Sequence, residues 1–95
     1  MDSYQLSPSE LRATASKFNT DAGELDTIMK DLSGAVDTLL DGWKGAGSEE
    51  FSQDFKEFSD ACDKMITCLT ERSQALNSSA QLADDTQDAL KKQWG

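Results

Sequence analysis

A chain of 95 residues, 37% hydrophobic and 28% charged, has material for one small domain with a thin core, a size at which apolar surface is often shared with a neighbour. The net charge of −9 excludes binding that rests on a basic stripe, so neither nucleic acid nor an anionic membrane surface is expected as a partner. Histidine is absent, which removes the commonest acid–base group and metal ligand; no catalytic residue, metal or cofactor is expected.

Met1 to Gln5 contains neither a basic segment nor an apolar run, so a cleavable secretory signal is not expected. No stretch approaches the roughly 18 apolar residues of a membrane helix, which argues against stable membrane insertion. Leu6-Ser7-Pro8-Ser9-Glu10 reads as a helix start, with Ser7 as N-cap, Pro8 at the first helical position and Glu10 closing a capping box. From Leu11 through Ala15, Phe18, Ala22, Leu25, Met29, Leu32, Val36, Leu39 and Trp43, apolar residues recur at spacings of four and three, a heptad seam along a helix of about residues 8–43. Ile28, Ala35 and Leu40 lie beside that seam and widen the stripe beyond what one partner helix covers, so Ile28, Met29, Leu32, Ala35 and Val36 are candidates for a dimer or partner interface.

Gly42, Gly45 and Gly47 break the pattern over about residues 42–48, where the chain must turn. Ser48 then reads as a second N-cap, with Glu49 and Glu50 favourably placed in the first turn of a helix of about residues 49–92. Phe51, Phe55, Phe58, Cys62, Met65, Leu69, Leu76, Ala83 and Leu90 continue the heptad, but Arg72, Ser79 and Thr86 occupy seam positions and weaken it toward the C-terminus. Asp26 with Lys30, Asp60 with Lys64 and Asp88 with Lys92 are spaced to pair along their helices. The expected fold is all-α: residues 1–95 as one antiparallel two-helix hairpin domain, dimerising with an identical or related chain into a four-helix bundle.

Cys62 and Cys68 lie too far apart along one helix to bond to each other. Cys62 fits the core as a small apolar residue, while Cys68 either stays reduced or pairs across a dimer. Two free thiols suit a reducing compartment, which supports one reading of function: an intracellular helical adaptor or chaperone that escorts a larger toxin or other partner.

Trp43-Lys44-Gly45, set in the turn between two long amphipathic helices, resembles the Trp-X-Gly family of small type VII secretion substrates related to the early secreted antigenic target of mycobacteria. The resemblance spans the whole chain. It implies a homodimer, or a heterodimer with a related hairpin, secreted from the cytoplasm without a cleavable signal by a motor ATPase and acting as a virulence-associated effector or export helper. It also implies that Trp43 and Gly45 form part of an export signal beside the partner's C-terminal tail; the alternative is that Trp43 plugs the end of the bundle and Gly45 allows the turn. Many relatives carry a tyrosine four residues before an acidic residue in that tail. Here Ala80 and Gln81 precede Asp84 and Asp85 at that distance, so the tail motif does not carry over, which favours a homodimer. Trp94 is either an aromatic tail contact or part of a frayed end.

Overall fold

The computed structural model describes the backbone of residues 7–94 and side chains through residue 92; Tyr4 and the side chain of Trp94 lie outside the described residues. Two helices, α1 (Pro8–Gly42) and α2 (Ser48–Trp94), pack against each other as an antiparallel hairpin measuring 75 × 20 × 19 Å. α2 is the longer, 47 residues against 35, and its C-terminal end projects past the start of α1.

Ser7 caps α1: its backbone is extended (φ −71°, ψ 153°), and its Oγ accepts a hydrogen bond from the Glu10 N–H at 3.2 Å. Among the described hydrogen bonds the returning contact from Glu10 is absent, and Ser7 Oγ lies 3.1 Å from Ser9 Oγ instead. Trp43 ends the helix, its N–H donating to the Leu40 carbonyl at 3.2 Å. Ser48 is the first residue of α2 rather than its cap; Gly47 precedes it, with its carbonyl accepting the Phe51 N–H at 2.9 Å.

The buried contact between the helices departs from a strict heptad. Ala15, Ala22 and Met29 of α1 meet Cys62, Ser73 and Ala80 of α2, and all six are less than a tenth exposed. Past Met29 the half-buried positions are Ser33, Val36, Leu40 and Trp43, so Leu32 and Leu39 turn outward at 40% and 51% exposure. On α2 the stripe runs through Ser59, Ile66, Ser73 and Ala80, one residue beyond the expected Phe58, Met65, Arg72 and Ser79. Each departure is a single extra four-residue step, Leu25–Met29–Ser33 on α1 and Phe51–Phe55–Ser59 on α2, beyond which the alternation of three and four resumes one residue out of register.

The shift also corrects the view that the seam weakens toward the C-terminus. Ser73 and Ala80 are 4% and 0% exposed, and Ser73 Oγ donates to the Ala15 carbonyl at 2.9 Å, a bond that requires close approach of the two backbones. Arg12 and Asp84 join the helices again at 2.6 Å on one open face. Of the expected pairs within helices, Asp26–Lys30 forms at 3.0 Å, whereas Asp60–Lys64 and Asp88–Lys92 are not among the described ion pairs; a pair not expected, Lys17–Asp21, lies at 3.5 Å. Such exposed pairs contribute little, about 0–1 kcal/mol each.

Candidate functional site

Two surface features stand apart from the packing of the hairpin. The first is the turn. Trp43 is half-buried, with its ring centroid 5.7 Å from that of Phe51 and tilted 41° to it, so the indole covers the end of the inter-helix contact. A shallow groove beside it is lined by Leu40, Trp43, Lys44, Ser48, Glu49 and Ser52.

The two glycines of the turn differ in what they do. Gly47 has φ +89°, the one positive φ among the described residues, and a Cβ there would lie 3.5 Å from the Trp43 ring. Gly45 has no such backbone, and a Cβ on it would meet only Trp43 Nε1 at 3.8 Å and Cδ1 at 3.9 Å, ordinary contacts. Gly47 is therefore the residue the turn requires. Gly45 is exposed, and nothing within the hairpin excludes a larger side chain there.

The second feature is an apolar face. Relative to the buried stripe of α1, Ile28, Leu32, Ala35 and Leu39 sit about a quarter turn to one side; relative to that of α2, Phe58, Ala61 and Met65 are displaced in the same sense. Because the helices are antiparallel, equal displacements bring both sets to one face of the hairpin. The Arg12–Asp84 bridge joins residues displaced the other way and marks the opposite face. Ile28, Leu39, Phe58 and Met65 each leave about half their surface exposed, between 50% and 55%.

The expected interface residues divide accordingly. Ile28, Leu32 and Ala35 lie on the open face, while Met29 is only 5% exposed and Val36 half-buried against α2, both committed to the hairpin's own packing. Leu39, Phe58 and Met65, assigned to the internal seam by the heptad reading, join the open face instead. An extra four-residue step on each helix, at Met29–Ser33 and Phe55–Ser59, separates the two sets. Cys62 is buried, Cys68 is exposed, and both are free. Among the described residues no group of histidine, cysteine or carboxylate side chains is arranged to hold a metal, and no helix is long and apolar enough to cross a membrane.

A family model described as proteins of 100 residues with WXG, the WXG100 family, matches residues 3–88. The type VII secretion system extracellular protein A of Staphylococcus aureus is 26% identical over 95 residues, spanning all of this chain and 98% of that protein. EsxA of Geobacillus thermodenitrificans superposes with a TM-score of 0.82 at 31% identity, covering 94% of this chain and 97% of the other. The secreted protein ESXB of Bacillus anthracis gives a TM-score of 0.81 at 28% identity, covering 92% and 99%.

Proposed function

Because the chain belongs to the WXG100 family, we propose that it is a small type VII secretion substrate that leaves the cell without a cleaved signal and acts by binding protein rather than by catalysis. Its working form in this reading is a homodimer in which the apolar faces of two hairpins close a four-helix bundle. Trp43 and Gly45 at the turn are then available to the export motor ATPase, and the protein acts outside the cell as an effector or an export helper.

The observation that carries the reading is the apolar face. The chain exposes 7237 Å², about a third more than the roughly 5,400 Å² of a compact monomer of 10.4 kDa. An interface covering Ile28, Leu32, Leu39, Phe58 and Met65 would gain roughly 1.5–3 kcal/mol for each side chain fully buried, less the part that is already covered.

Solution mass by light scattering and export are the two tests. The expected mass is twice 10.4 kDa, falling to a monomer when Ile28→Asp and Phe58→Asp are combined. The expected location is the culture supernatant, with release abolished when the motor ATPase is deleted. Unchanged release in that deletion would overturn the secretion reading. The exposed, reduced Cys68 supports a second reading, an intracellular adaptor for a larger helical partner; it predicts that such a partner co-purifies from cytosol while none of the chain reaches the medium.

A further inference from the structure

The end of α2 that projects past α1 carries apolar residues that α1 does not cover. Leu82 is 68% exposed and Leu90 51%. With Ala83 and Thr86 they line a groove whose near end is formed by Ser7 and Pro8, the first described residues of the chain. Six residues precede Ser7, and Leu6, Tyr4 and Asp2 stand at every second position among them.

We infer that residues 1–6 run extended along this groove as a clasp, with Leu6 and Tyr4 seated on α2 of the same chain and Asp2 facing Lys91 and Lys92. The point of entry favours this occupant. Ser7 caps α1, so Leu6 stands one place before the cap and Leu11 is the fourth helical residue, the two positions that pack together in a hydrophobic staple and fix the angle at which a chain enters its helix. Leu11 is half-buried. It is rotated from the buried Ala15 in the same sense as Ala83 and Leu90 are from the buried Ala80, toward the open face and away from the Arg12–Asp84 side. The staple therefore directs the preceding residues to the groove.

Length and chemistry agree with that direction. The Ser73–Ala15 hydrogen bond sets residue 81 about level with Ser7. An extended chain advances about 3.4 Å per residue against 1.5 Å for a helix, so each residue of the clasp spans about two of α2. Counted back from Ser7, Leu6 falls near Ala83, Tyr4 between Thr86 and Leu90, and Asp2 near Lys92. Alternate residues of an extended chain share one side, which turns two apolar side chains to the groove and one carboxylate to the two lysines beyond it. The contact lies within one chain and is independent of self-pairing. A partner helix that binds the Leu82–Leu90 stripe has to displace Tyr4 first.

Hydrogen exchange of the full chain, read by mass spectrometry, tests the clasp. Tyr4→Ser removes the ring without altering the Ser7 cap or the Leu6 and Leu11 positions, so the hairpin keeps its own packing. Amides of residues 82–92 are expected to exchange at least about tenfold faster in this variant than in the wild type, with those of residues 59–73 unchanged. Equal exchange over residues 82–92 would overturn the clasp. So would wild-type protection there that falls on dilution, because the groove would then be filled by a second copy. A second measurement uses a chain with Cys62→Ala and Cys68→Ser, to which Tyr4→Cys is added together with Thr86→Cys or Leu90→Cys. One of the two pairs is expected to close a disulfide within a single chain on mild oxidation. Chains that stay reduced, or that link only as dimers, would overturn the placement of residues 1–6 on their own α2.

Discussion

Replacing each turn glycine by alanine separates what the fold needs from what a binding partner reads. At Gly47 the backbone sits at φ +89°, where an L-residue costs about 1–2 kcal/mol. Alanine returns about 0.4–1 kcal/mol by restricting the unfolded chain, so Gly47→Ala is expected to destabilise by about 1 kcal/mol. For a chain of this length that corresponds to a fall in Tm of about 4–8 °C. At Gly45 the added Cβ makes only ordinary contacts with the Trp43 indole, with no left-handed backbone to strain, so only the gain from the unfolded state remains. Gly45→Ala should melt at the wild-type temperature or a few degrees above it. Thermal unfolding followed by far-ultraviolet circular dichroism, with all chains at one concentration, measures both. Paired with an export assay, the same variants assign Gly45 its role: a stable hairpin that is no longer exported marks a residue read from outside. A Gly45→Ala variant that melts as low as Gly47→Ala would refute the distinction, because the turn would then depend on Gly45 as well.

The close approach at the open end makes Ala80, fully buried, intolerant of bulk. Ala80→Leu should force the helices apart, break the Ser73–Ala15 bond and cost about 1–3 kcal/mol in urea unfolding, and an unchanged midpoint would argue against the contact. Cys62 is 8% exposed, so a thiol reagent should modify it only as fast as the hairpin opens; labelling at the rate of an unstructured peptide thiol would place it outside the core.

Helix type, the Ser7–Pro8 start and the glycine-bounded turn are legible in the sequence because each has a local cause: apolar periodicity, a side-chain acceptor before a proline, residues that interrupt a helix. The assignment of apolar residues to the inner or outer side of the hairpin is less accessible. It depends on where two four-residue steps follow one another, and at those points a serine, Ser33 or Ser59, takes the inner position while the apolar neighbour that continues the heptad, Leu32 or Phe58, faces out. Leu32, Leu39, Phe58 and Met65 satisfy a heptad as written and fall outside it as folded. Ser73 is illegible for a related reason: a serine beside Arg72 reads as part of a polar interruption, whereas its hydroxyl finds the Ala15 carbonyl and lets the backbones close. Gly45 and Gly47 read alike as turn formers; only the backbone conformation distinguishes them.

One gradient along the hairpin accounts for both the packing and the open face. At the open end the buried residues are Ala15, Ala22, Ser73 and Ala80, small enough for one helix to close on the other without a third element. Toward the turn Met29 is still covered, but the contact is completed by Phe51, Phe55 and Trp43, whose volume two helices alone do not enclose. Among the described residues no large side chain is fully buried, the three aromatic residues remain half-exposed, and Phe55 leans against the exposed Phe58 at a centroid distance of 6.0 Å. Ile28, Leu32 and Leu39 face outward in this same half. Larger residues in the seam therefore coincide with apolar residues on the face, so a neighbour covering that face would also complete the enclosure of the seam beneath it. Polar substitution on the face should then weaken the hairpin as well as its association, whereas equal changes on the Arg12–Asp84 side should do neither.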